Sequence, residues 1–156
     1  MTTSIVDSAE PGVITKKLIV TGWERQRMPH GDYEFYTQDF LRVGITRKTI
    51  SDLLSSINDK FGEQLAEMKR HFDINIILLE GNWKTILPQR KIFTDRGIER
   101  ATWNTIWNFL RTWQDRGFSL ELTFNQAHTV ERLQSLYTYY QKPFHTGGIK
   151  CQKQLK

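Results

Sequence analysis

Cysteine is nearly absent from this chain: among 156 residues only one, Cys151, carries a thiol. A single cysteine cannot form an intramolecular disulfide, and it cannot supply a cluster of thiolate ligands for structural zinc. A disulfide-stabilised secreted domain is thereby excluded. We expect a protein of a reducing, intracellular compartment.

Long apolar runs are missing as well. No stretch approaches the roughly 18 consecutive apolar residues of a membrane helix, and the N-terminus lacks the basic-then-apolar pattern of a signal peptide. We therefore expect a soluble protein without a membrane partner. The four histidines are scattered and show no metal-ligand spacing, so His30 and His145 are expected to be ordinary surface residues.

Apolar residues are nevertheless abundant enough for a packed core. They make up 38% of the chain, and aromatic residues make up 12%, which argues against disorder. The length is typical of one domain. The net charge of +5 suits a polyanionic partner such as nucleic acid, although many basic proteins bind none.

The order of predicted elements indicates one α/β domain. Apolar spacing and turn signals predict a short strand at 4–6, a helix at 13–21, a strand at 23–28, a hairpin at 32–46, helices at 50–57 and 61–72, a buried strand at 75–80, an irregular basic segment at 81–97, a helix at 98–116, a strand at 118–124 and a helix at 129–140. This order predicts a central mixed sheet flanked by helices on both faces.

One motif stands out around the predicted hairpin. Gly31-Asp32 precedes it, and Thr46-Arg47-Lys48 ends it, with Asp52 four residues beyond Lys48. This stretch resembles the nuclease motif of the XPF family of structure-specific DNA endonucleases, whose pattern is Gly-Asp, a hairpin, then Glu-Arg-Lys-x-x-x-Asp. Thr46 stands at the position of the motif glutamate.

Further pieces of the same resemblance lie in the expected order along residues 4–140. Asp7 and Glu10 match an opening Asp-x-Arg-Glu signature in which Ala9 replaces the arginine, and Gln64 falls where the family often has a helix glutamine. The resemblance implies a restriction-endonuclease-like fold, with a nuclease domain at 1–142 and a basic tail at 143–156.

The resemblance also implies a chemistry. Hydrolysis of a phosphodiester needs a metal to activate water and to neutralise the phosphate, and Mg²⁺ or Mn²⁺ would be held by hard oxygen ligands. Asp32 would be one ligand, Thr46 marks the position of a missing one, and Asp7 or Glu10 could supply the absent oxygen. Lys48 would orient water or stabilise the transition state, while Arg47 would support the site and touch phosphate.

Strand alternation predicts on which face of the sheet the motif side chains lie. Residues two apart share a face, so Lys48 should lie on the side of Thr46. Arg47 would point the other way on an ideal strand, but the predicted strand ends at this point, so the direction of Arg47 stays open. Asp52 is a candidate catalytic group, but Thr49 followed by an acidic third residue also fits a helix N-cap. Asp32 could be an ordinary turn residue.

Candidate DNA contacts lie at Arg47 and Gln64 and in the segment after the buried strand, at Lys84, Arg90 and Lys91. The last three could equally form a solvated basic loop. No base-reading element is recognisable, so we expect recognition of branched or forked DNA by shape. Members of the family often dimerise through this domain, so a homodimer or heterodimer is a further expectation.

Three functions remain open on the sequence alone. The first is a metal-dependent DNA endonuclease. The second is a catalytically impaired nuclease-like module that binds DNA or a protein partner, because both departures, Ala9 and Thr46, fall at active-site positions. The third is a replication-linked or mobile-element nuclease of restriction type on the same fold.

Overall fold

The computed structural model describes residues 3–82, 92–94, 97–99 and 103–143. The strands are β1 (Ile5–Asp7), β2 (Glu24–Gln26), β3 (Tyr33–Tyr36), β4 (Arg42–Thr49), β5 (Ile74–Glu80), β6 (Ile92–Thr94), β7 (Gly97–Glu99) and β8 (Phe118–Thr123). The helices are α1 (Gly12–Val20), α2 (Ile50–Ser56), α3 (Phe61–His71), α4 (Trp103–Asp115) and α5 (Gln126–Tyr140).

Six of the described strands form one mixed sheet in the order β2-β1-β3-β4-β5-β8. The β3–β4 hairpin is antiparallel, as is the β1–β3 pair, whereas β4, β5 and β8 run parallel to one another and β1 runs parallel to β2. The predicted α/β class with a central mixed sheet is confirmed. No helix within the described ranges is both long enough and apolar enough to cross a bilayer.

Helices cover both faces of this sheet because β5 is apolar on both sides. Its residues Ile77 and Leu79 belong to one buried cluster, which also contains Leu53, Leu65 and Leu110 from α2, α3 and α4. The alternate residues Ile76 and Leu78 belong to a second cluster, with Ile14 and Leu18 from α1 and Leu133 from α5. The prediction of a central strand buried on both faces is therefore correct.

Two local signals fix where helices end and begin. Gly22, with a φ of +98°, follows the C-cap of α1 and donates its N–H to the carbonyl of Ile19 over 3.0 Å, as a left-handed glycine after a helix does. Thr49 is the N-cap of α2, and its hydroxyl accepts the N–H of Asp52 over 3.2 Å. The structural interpretation of Asp52, as a residue of the first helical turn, therefore holds.

The segment after β5 departs from the prediction. We predicted an irregular stretch at 81–97 and a helix from residue 98, but β6 and β7 pair as an antiparallel hairpin in which Phe93 lies opposite Ile98. Pairing with β6 draws Ile98 into a strand, so α4 begins only at Trp103. Residues 144–156 lie outside the described ranges, and the basic tail stays a prediction.

Gly44 is the point at which β4 comes closest to the end of α3. A Cβ at this position would lie 2.3 Å from the ring of Phe72, a buried residue at the C-cap of α3. No side chain fits there, since real Cβ atoms do not approach other atoms so closely. The glycine lets the aromatic ring pack directly on the strand that carries the motif.

Replacing Gly44 by alanine should therefore destabilise the fold. We expect a loss of about 1–3 kcal/mol in the free energy of unfolding, as for other over-packed cores, measured by urea unfolding. Gly12→Ala is the matched control, because a Cβ at Gly12 meets nothing within 4 Å. Equal stability of the Gly44→Ala protein and the wild type would contradict this account of the packing.

Candidate functional site

The hairpin brings Asp32 and Thr46 into direct contact. Asp32 precedes β3, and its N–H donates to the carbonyl of Ile45 over 2.8 Å. Its carboxylate oxygen Oδ2 accepts the N–H of Arg47 at 2.7 Å and the hydroxyl of Thr46 at 3.1 Å. A glutamate at position 46 would place two carboxylates side by side here. The threonine instead donates a hydrogen bond to the one that remains.

Asp7 joins the same site from the neighbouring strand. Because β1 pairs antiparallel with β3, the N–H of Asp7 reaches the carbonyl of Asp32 at 2.8 Å. The Asp7 side chain is nearly buried, and its Oδ1 accepts the N–H of Met28 at 2.9 Å. Backbone hydrogen bonds on both sides thus hold Asp7 beside Asp32.

Glu10 follows in the turn after β1. The hydroxyl of Tyr33 donates to Glu10 Oε2, and the same oxygen lies 3.6 Å from Arg47 Nη1. Burial, followed by the negative charge of Asp32, raises the pKa of Glu10 from 4.5 to about 7, with Asp7 adding to the effect. The hydrogen bond from Tyr33 and the charge of Arg47 oppose this rise without cancelling it.

The pKa of Asp32 is also raised, with burial as the main cause. The hydrogen bonds from Arg47 and Thr46 act against the rise, and so does the positive charge of Lys48. Lys48 lies on the same side of β4 as Thr46, and its Nζ stands 5.1 Å from the ring centre of Phe61. Carboxylates that are costly to ionise together form a natural site for a cation, whose charge would relieve the repulsion.

Arg47 points to the opposite face of β4. Its Nε and Nη2 bind the two carboxylate oxygens of Glu80 at 3.0 and 2.7 Å, and both side chains are only 8% exposed. Glu80 in turn accepts the hydroxyl of Thr129 at 2.5 Å. In this arrangement Arg47 lies behind the site and contacts Glu10, and its contact with phosphate stays a prediction.

These groups open onto one groove of about 560 Å³. Its wall includes predicted residues from β1 and the turn after it, the hairpin, α2 and α3, namely Asp7, Glu10, Asp32, Thr46, Arg47, Lys48, Asp52 and Gln64. Other residues of the wall were not predicted, among them His30, Lys60, Glu63 and Glu67. The predicted DNA contacts Lys84, Arg90 and Lys91 lie outside the described residues.

Sequence reasoning missed the partners behind the site. Glu80 is a charged residue at the end of an apolar strand. Its position could have indicated a buried, positively charged side chain beside it, which is that of Arg47. Tyr33 directly follows Asp32, and strand alternation places it on the other face, where it meets Glu10. His30, which was predicted to be an ordinary surface residue, is a residue of the groove wall, and its ring stacks on that of His71.

Comparison with known proteins agrees with this fold. Residues 8–136 match the family model of the ERCC4 domain. The solved structure of XPF from Aeropyrum pernix superposes with a TM-score of 0.69 at 22% identity, covering 91% of this chain and 66% of that one. XPF from Aeropyrum pernix in complex with DNA gives 0.65 at 21% identity, with 89% and 64% covered.

The present chain thus spans about two thirds of the length of those structures. No curated protein sequence matches it. At these identities the two structures establish a restriction-endonuclease-like fold, and this confirms the predicted fold.

Because the pKa of Glu10 is raised, replacing this carboxyl by a neutral amide should stabilise the folded protein, and more so at higher pH. An unfolded chain loses the Glu10 proton near pH 4.5 and the folded protein near pH 7, so this group's stabilising contribution is complete below about pH 4.5. It is lost as the pH rises to about 7. Glu10→Gln has no such loss, so its Tm relative to the wild type should rise between pH 5 and 8, measured thermally with EDTA present.

Glu63→Gln, which removes an exposed carboxylate from the same groove, controls for the change in net charge. A Tm difference between Glu10→Gln and wild type that stays constant from pH 5 to pH 8 would contradict the assignment.

Proposed function

The chain belongs to the ERCC4 domain family, and from that premise we propose that it is a metal-dependent endonuclease acting on branched or forked DNA. The observation that carries the proposal is the meeting of three carboxylates, Asp7, Glu10 and Asp32, with Lys48 in one groove. Two of those carboxylates have raised pKa values. Such perturbed groups in a cleft are typical of functional sites.

The donor set fits a hard divalent cation. Each of the three carboxylates has one oxygen fixed by a protein donor, namely Met28 N–H for Asp7, Tyr33 hydroxyl for Glu10 and Arg47 N–H for Asp32. A carboxylate has two oxygens, so each group retains one with which to bind a cation. Mg²⁺ and Mn²⁺ prefer oxygen ligands of this kind.

In this proposal Asp32 and Asp7 hold the cation, and a bound Mg²⁺ or Mn²⁺ would supply charge neutralisation and an activated water. Lys48, on the Thr46 side of β4, orients the attacking water or stabilises the charge that develops on the phosphate. Glu10, whose pKa is about 7, can exchange a proton at neutral pH. Arg47 keeps Glu10 in place from behind.

Thr46 weakens this site without abolishing it. A neutral hydroxyl replaces one of the charges that attract the cation, which should lower the affinity by about 10-fold, reasoning from the dependence of such sites on ligand charge. Glu10 and Asp7 already lie in the groove, so either carboxylate compensates in part. The side chain at position 46 then sets the cation concentration at which the protein acts.

DNA is the partner that the charge and the family favour. The net charge is +5, and Lys48 and Lys60 lie in the groove, where they would contact backbone phosphates. The second solved structure is that of XPF in complex with DNA, which supports DNA binding here. Contacts by Lys84, Arg90 and Lys91, preference for branched DNA and dimerisation through this domain belong to the same proposal.

A second candidate is a nuclease-like module that binds DNA or a protein without cutting. The hydrogen bond from Thr46 to Asp32 favours it, because the hydroxyl satisfies part of the carboxylate without a cation. The two candidates differ in one property, which is whether the groove supports hydrolysis when a cation is supplied.

Cleavage of a labelled forked duplex tests the first candidate. We expect cutting that depends on Mg²⁺ or Mn²⁺ and that falls by about 100-fold or more in Lys48→Ala, a loss comparable to removing one donor to a transition-state charge. Lys69→Ala is the matched control, because Lys69 is an exposed lysine of α3 outside the groove wall. It should cut as the wild type does.

Thr46→Glu separates the two candidates. In an active enzyme it should shift the metal dependence of cutting about 10-fold toward lower concentration. If the wild-type protein leaves forked and flapped DNA intact with both metals while Thr46→Glu cuts, the endonuclease proposal fails for this chain and the binding module stands.

A further inference from the structure

Two histidines and one glutamate meet at the rim of the groove. His30 and His71 stack with their ring centroids 4.0 Å apart and their planes 14° from parallel. Nε2 of His71 lies 3.8 Å from Oε2 of Glu67. One ligand-type atom from each of these three side chains lies within 4.8 Å of the other two.

The backbone of α3 and of the turn before β3 positions these three residues next to one another. Glu67 and His71 are four residues apart on α3, so they occupy the same side of the helix. His30 is fixed against that helix by the next residue, Gly31, which has a φ of +71°. A Cβ built on Gly31 would stand 3.3 Å from the Ile45 carbonyl oxygen and 3.6 Å from Met68, so the turn carrying His30 is pressed between β4 and α3.

The present contacts of the three side chains are easily exchanged. Glu67 also pairs with Arg70 at 2.7 Å, but the Arg70 side chain is 73% exposed, and exposed ion pairs contribute little. A tetrahedral ion with bonds of 2.0–2.1 Å needs ligand atoms about 3.3 Å apart. Because the two imidazole rings are nearly parallel, the His71 ring has to turn out of the stack before both nitrogens can face one ion. The His71 and Glu67 side chains are 42% and 43% exposed, which leaves them room to turn about their side-chain torsions.

We propose that His30, Glu67 and His71 bind a divalent transition metal, zinc in the first place. Imidazole nitrogens suit zinc, whereas Mg²⁺ prefers oxygen, so this site differs in ligand chemistry from the carboxylates around Asp32. Two histidines and one glutamate form a three-ligand set that leaves a fourth position for water or another oxygen ligand. The proposal does not depend on whether the groove hydrolyses DNA.

A cation here would change the charge of the groove. His30 and Glu67 both line its wall, so a bound ion would add two positive charges at the rim. These charges would offset the negative charges of Glu67 and of Glu63, which lies in the same wall. That change favours a polyanion in the groove.

Zinc titration by calorimetry tests the proposal on the full chain carrying Cys151→Ser, which removes the only thiol. We expect one zinc ion per chain. Each of the substitutions His30→Gln, Glu67→Gln and His71→Gln should lower the affinity by about 10-fold or more, since even loss of an outer-shell partner has an effect of that size. Millimolar Mg²⁺ should not displace the zinc. Circular dichroism verifies that each variant is folded.

Two matched controls locate the ion. His128→Gln removes a histidine at the start of α5, and Asp32→Asn removes the central carboxylate of the groove; neither should change the zinc affinity. Unchanged zinc affinity in both His30→Gln and His71→Gln would overturn the proposal. Loss of zinc binding in Asp32→Asn alone would overturn it as well, by placing the ion among the carboxylates.

Discussion

The crowding of negative charge at Asp7, Glu10 and Asp32 is the constraint around which this structure is arranged. Burial and mutual repulsion raise the pKa of Glu10 to about 7 and raise that of Asp32. Holding these groups together in their charged forms therefore destabilises the folded protein. Backbone N–H groups of Met28 and Arg47 hold the two aspartates at their positions. A groove built in this way suits a cation better than it suits water alone.

One strand serves both sides of that arrangement. Along β4, Thr46 and Lys48 line the groove. The guanidinium of Arg47, on the other face of the strand, forms a buried ion pair with Glu80. Removing either member of this pair would leave an uncompensated charge in the interior, which typically destabilises a protein by about 3–5 kcal/mol. The site is therefore coupled to the core: the residue between the two groove-facing side chains is tied to β5 and, through Thr129, to α5.

The sequence predicted those features that depend on local periodicity and on the ordered motif. Alternation along β4 placed Thr46 with Lys48, the apolar run of β5 indicated burial on both faces, and Thr49 was recognised as a cap of α2. The direction of Arg47 stayed open because the strand was predicted to end before it, whereas β4 continues to Thr49. Features that depend on distant partners were missed. Neither the pairing of Arg47 with Glu80 nor the stacking of His30 on His71 leaves a spacing signal, because each joins segments far apart in the chain. The late start of α4 was missed because Ile98 fits a helix pattern and a strand equally well.

Cation binding among the groove carboxylates is the central claim, and Mn²⁺ titration followed by electron paramagnetic resonance measures it most directly. The titration is best made with His71→Gln present, so that the rim histidines do not contribute. We predict one saturable Mn²⁺ site that Asp32→Asn abolishes and that Thr46→Glu strengthens about 10-fold. Mn²⁺ binding that is absent at millimolar concentration, or that survives Asp32→Asn unchanged, would contradict this claim.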